Sequence, residues 1–82
     1  MDVRARIRRF FDEAITERVR DEDDVFSLGA VNSLFALQLV TFVETEFSIT
    51  AEREDLDIDN FSSVDALTTF VVGKLGGPGA GP

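Results

Sequence analysis

The 82-residue chain contains neither cysteine nor histidine. Their absence removes thiol and imidazole catalysis, disulfide bonding and the usual zinc sites, so an enzyme here would have only Ser, carboxylates, Lys and Arg to work with. Basic residues are also scarce beyond the first quarter: residues 21–82 hold two, Arg53 and Lys74, against twelve acids, whereas residues 1–20 hold six arginines against four acids. The resulting formal charge of −8 repels nucleic acid and anionic membrane, favours basic protein partners and aids solubility. No apolar run approaches the length that spans a bilayer, and Arg4, Arg6, Arg8 and Arg9 stand where a signal peptide would need apolar residues. The chain is therefore expected to be cytoplasmic, and the sequon Asn60-Phe61-Ser62 to carry no glycan.

A chain of this length makes one small domain whose core leaves little room for an elaborate buried active site. Asp2 can cap a first helix over about residues 3–18, with Val3, Ile7, Phe10, Phe11 and Ala14 on a single face. The acidic stretch Asp21-Glu22-Asp23-Asp24 ends that pattern. Val25, Phe26 and Leu28 then read as loop anchors tucked against the bundle before a turn at Gly29, in a loop long enough to suggest function. A second helix is expected from Leu34 to Phe47, and a short helix at most over Glu52 to Asp59. Ser62 with Asp65 resembles a capping box opening a last helix that buries Val64, Leu67, Phe70, Val71 and Leu75. Residues 1–75 form the domain, and the Gly/Pro-rich stretch 76–82 reads as a flexible tail. No internal repeats occur.

Ser33 stands where the loop ends and the second helix begins. Its position allows two readings: a helix cap, or an attachment point for an anionic phosphoryl group favoured by the unpaired N–H groups and dipole of a helix start. Ala36, Leu39, Val40, Val43 and Phe47 form the core stripe of that helix, leaving Leu34, Phe35 and Leu37 off it. These three either bind a partner or are covered by the long loop. Asp55, Asp57 and Asp59 have the alternate spacing of a calcium loop, but Asn60 and Ala66 stand where the glycine and the bidentate glutamate belong, so no metal site is expected.

The order of these elements, with Phe26-x-x-Gly29, Val31-Asn32-Ser33-Leu34, Glu44-x-Glu46-Phe47-x-Ile49 and Asn60-Phe61-Ser62-Ser63-Val64, resembles the acyl carrier protein family over about residues 3–75. The resemblance implies an all-α fold, a small four-helix bundle of three longer helices and one short one. It also implies a 4′-phosphopantetheine arm, drawn from coenzyme A, on Ser33, with Asn32 flanking it where the family usually has Asp. Asn keeps the size and acceptor oxygen of that residue and can take over part of the capping. Phe35 and Gln38 stand at positions resembling acidic recognition sites of fatty-acid carriers, leaving a greasier docking face.

Carriage is implied, with no catalytic residue in the chain itself. Leu34, Phe35 and Leu37 would supply apolar docking contacts, with Glu44, Glu46, Asp55 and Asp57 steering toward basic partners. Those partners would be a phosphopantetheinyl transferase, loading and tailoring enzymes, and an acyltransferase or synthase module, served by a monomer. The string from Val31 to Gln38 is similar to discrete carriers of glycerate-derived extender units, such as those maturing to methoxymalonyl, in polyketide biosynthesis. The alternative function is an unmodified helical interaction domain docking through the apolar face of the second helix.

Overall fold

The carboxylate of Asp2 accepts a hydrogen bond from the N–H of Ala5 at 3.0 Å, opening α1 (Val3–Ala14) as a side-chain cap should. The computed structural model describes residues 2–76, and among these it is all-helical: α1, α2 (Ser33–Phe47), 3-10 turns at Arg53–Asp55 and Ile58–Asn60, and α3 (Val64–Lys74). The expected short helix is thus a pair of 3-10 turns, and residues 77–82 of the expected tail lie outside the described residues.

Spacing carries the expected first helix to residue 18, but α1 stops at Ala14 because Ile15 is extended, at φ −116° and ψ 123°. Ile15, Thr16 and Val19 are β-branched and poor helix formers. Ile15 and Val19 are nonetheless buried, so they anchor the loop to the core, while Ala14, expected on the buried face, is exposed. Leu28 and Leu75 also depart from expectation, at 61% and 42% exposure.

The core gathers Ile7 and Phe11 of α1, Leu39, Val43 and Phe47 of α2, Val64, Leu67 and Val71 of α3, and Val25 and Phe61 from the connections. The cap of α3 is Ser63 rather than Ser62: its hydroxyl accepts from the N–H of Ala66 at 3.0 Å. Adjacent serines make that one-residue choice ambiguous from pattern alone. α2 ends at Ser48, whose φ of 55° is the left-handed geometry that commonly terminates helices.

Two backbone bonds tie the long loop to the start of α3. The N–H of Val25 donates to the carbonyl of Ser62 at 2.8 Å, and that of Asp65 to the carbonyl of Asp21 at 2.9 Å. Arg4 adds ion pairs to both Asp21 and Asp65, and Arg8 reaches Asp21 at 3.2 Å. The acidic stretch that ends the first helical pattern therefore also fixes, through Asp21, the loop that precedes α2.

Candidate functional site

Asp24 organises the turn that leads into α2. Its carboxylate accepts from the N–H groups of Phe26 and Ser27 and from the Ser27 hydroxyl, each at 3.0 Å. These bonds, the Ser27 amide foremost, hold its carboxyl below the usual range. The chain then turns back, the Ala30 N–H meeting the Val25 carbonyl at 3.1 Å, through Gly29 at φ +73°, a conformation that glycine adopts without a side-chain penalty.

The cap of α2 is Asn32. Its side-chain oxygen accepts from the N–H of Leu34 at 3.0 Å and of Phe35 at 3.4 Å. Ser33 is the first residue of the helix, one earlier than the expected start at Leu34, and it is exposed. The hydroxyl is therefore spared the capping role while standing at the positive end of the α2 dipole. The first turn of α2 holds no acid to repel an anion there. An exposed hydroxyl in this setting fits a phosphodiester link.

The residues around Ser33 divide sharply. Leu34 and Leu37 are 61% and 65% exposed, but Phe35 is only 5% exposed. Its ring meets Phe11 edge-on at 5.6 Å and lies 6.0 Å from Phe10 and 6.4 Å from Phe26. The expectation of a docking role for Phe35 is corrected accordingly: the α1 and loop aromatics cover that side of α2, so Phe35 belongs to the core.

The acids expected to steer partners have internal work. Glu44 accepts from the N–H of Ala51 at 2.9 Å, and Glu46 pairs with Arg6. Asp55 pairs with Lys74; the ammonium, followed by the Glu52 amide, holds its carboxyl below the ordinary range, while Asp55 raises Lys74. Asp57 accepts from the N–H of Asp59 at 3.0 Å. Among the described residues no group of three Asp or Glu side chains is placed to hold a metal ion, and no helix is long and apolar enough to cross a membrane.

Sequence reasoning did not place an open groove of about 890 Å³ between α1 and α2, lined by Phe10, Glu13 and Ala14 of α1 and by Leu37, Gln38, Thr41, Phe42, Thr45 and Glu46 of α2. Its polar members fall on no hydrophobic period, so only the packing of α1 beside α2 reveals it.

No protein-family model matches the chain, and no solved structure does. The D-alanyl carrier protein of Streptococcus mutans serotype c is 25% identical over 69 residues, covering 82% of this chain and 87% of that protein. Along most of its length, therefore, this chain is similar to a carrier protein.

Proposed function

We propose that this chain is a non-catalytic carrier whose Ser33 hydroxyl bears a 4′-phosphopantetheine arm transferred from coenzyme A. The observation that carries this reading is the division of roles at the head of α2, where Asn32 caps the helix and the neighbouring Ser33 stays exposed. The similarity to a D-alanyl carrier protein supports it independently. The arm supplies a terminal thiol on which cargo is held as a thioester.

The chain's own residues hold the base of that arm and present it. N–H groups in the first turn of α2 favour the phosphodiester by about 0.3–1 kcal/mol. The loop bonds of Val25 and Asp65 keep the attachment point in a fixed relation to α3. Leu34 and Leu37, both exposed, offer apolar contact to a docked partner. Tethering makes each transfer effectively intramolecular once docked, so contacts can be weak and exchangeable.

The partners proposed are a phosphopantetheinyl transferase, loading and tailoring enzymes, and an acyltransferase or synthase module. The cargo proposed is a short polyketide extender unit, supported by the resemblance of the Val31–Gln38 string; D-alanine, carried by the relative as its name states, is the competing cargo. The mass of the loaded protein recovered from its host separates them.

Incubation with coenzyme A and a broad-specificity transferase should add one phosphopantetheinyl mass to the wild type and none to Ser33→Ala. An unchanged wild-type mass across several transferases would sink the carrier reading. It would favour instead an unmodified interaction domain, for which the exposure of Leu34 and Leu37 speaks.

A further inference from the structure

Resting on the carrier reading, we propose that the groove between α1 and α2 is the resting seat of the arm on Ser33. The groove opens about one helical turn beyond the serine, at Leu37 and Gln38. The exposed side chain of Leu34, lying three and four residues before these two, shares their side of the helix. The path from the attachment point into the groove is therefore apolar and short.

Its lining matches the chemistry of the arm, and the two carboxylates within it, Glu13 and Glu46, are paired with Arg9 and Arg6. Phe10 of α1 stacks on Phe42 of α2 with ring centroids 4.3 Å apart, giving an aromatic floor for methylene and dimethyl groups. Gln38, Thr41 and Thr45 are exposed along the α2 wall and offer donors and acceptors to the two amides and the hydroxyl of pantetheine. A purely acyl chain would waste those partners; an amide-bearing chain uses them.

Length agrees as well. Thr41 and Thr45 lie about 12 and 18 Å along α2 from Ser33 at the helical rise of 1.5 Å per residue. About thirteen bonds separate phosphorus from sulfur in the arm, an extended reach of about 15 Å. The sulfur then comes to rest beside the stretch from Thr41 to Thr45. The groove is open along its length, so the seat holds the arm weakly and a docked partner can draw it out.

The test is a spin label on the arm's thiol, loaded onto the full chain by a transferase, with loading verified by mass and amide broadening read by NMR. Amides of Phe10, Ala14, Thr41 and Thr45 should broaden severalfold more than those of Thr69 and Val72 on α3, and Thr41→Lys should abolish the excess while the apo spectrum keeps its dispersion. Equal broadening on both sides, or stronger broadening on α3, overturns the groove assignment and leaves carriage standing. Failure to load overturns the carrier reading itself. In that event Ser33→Cys, in a chain with no other cysteine, accepts a thiol-reactive spin probe of pantetheine length, which tests the groove alone by the same comparison of amides.

Discussion

The side-chain oxygen of Asn32 lies 3.0 Å from the N–H of Leu34, and this bond closes the start of α2 one residue ahead of Ser33. Replacing Asn32 by Ala should cost about 1 kcal/mol, the usual value of a lost cap, read as a lower urea midpoint. Asn32→Asp should keep the cap and add about 0.3–1 kcal/mol at low salt from charge at the positive helix end. That gain should be present above the unfolded carboxyl pKa of about 3.9 and fade as pH falls through the lower folded value.

Phe35 and Leu37 stand two residues apart and should behave oppositely. Phe35→Ala removes a buried ring from the aromatic cluster and should destabilise by about 3–5 kcal/mol, enough to unfold much of so small a domain. Leu37→Ala removes an exposed side chain and should change stability by less than about 0.5 kcal/mol while weakening partner docking. Thermal melts beside a transferase binding assay separate the two.

Stability should fall at both extremes of pH. The carboxyl of Asp23 is lowered by the Arg20 guanidinium and backbone, that of Asp24 by Ser27, and that of Asp55 by Lys74. As pH drops below the unfolded value near 3.9, the unfolded chain takes up these protons first. The contribution is therefore complete above that value and lost as pH falls through the folded pKa values. Lys74 is raised by Asp55, so its part is complete below the unfolded value near 10.4 and lost as pH climbs through the folded one. Urea midpoints across pH should show both limbs, and Asp55→Asn should flatten the alkaline limb.

Gly29 has open space around the position of an added Cβ, so Gly29→Ala meets no clash. Its φ of +73° remains costly for an L side chain, by about 1–2 kcal/mol. The substitution should lower the melting temperature, and Gly29→Asn should lower it less, because Asn tolerates the left-handed region better. Equal losses would show that the turn reshapes.

Much of this was legible in the residues. The apolar spacing of Ile7 and Phe11, the cap at Asp2 and the start of α2 near Ser33 follow from local rules. The length of α1 does not, because Phe11, Ile15 and Val19 keep a four-residue spacing even though the last two reach the core from an extended loop. Neither does the burial of Phe35. α2 is apolar on nearly every side from Leu34 to Val43, so periodicity alone cannot tell its covered flank from its open one. Only the arrival of Phe10, Phe11 and Phe26 around that ring decides it.

The engagement of Glu44 with Ala51 and of Glu46 with Arg6 separates approach from grip. A net charge of −8 would draw a basic partner from a distance, and such a pull weakens with ionic strength. On the proposed carrier reading, the exposed contacts offered to a partner, Leu34 and Leu37, are uncharged, and the exposed acid of α2, Glu46, is already paired with Arg6. Added salt should therefore slow the meeting of the two proteins while leaving the lifetime of the pair nearly unchanged.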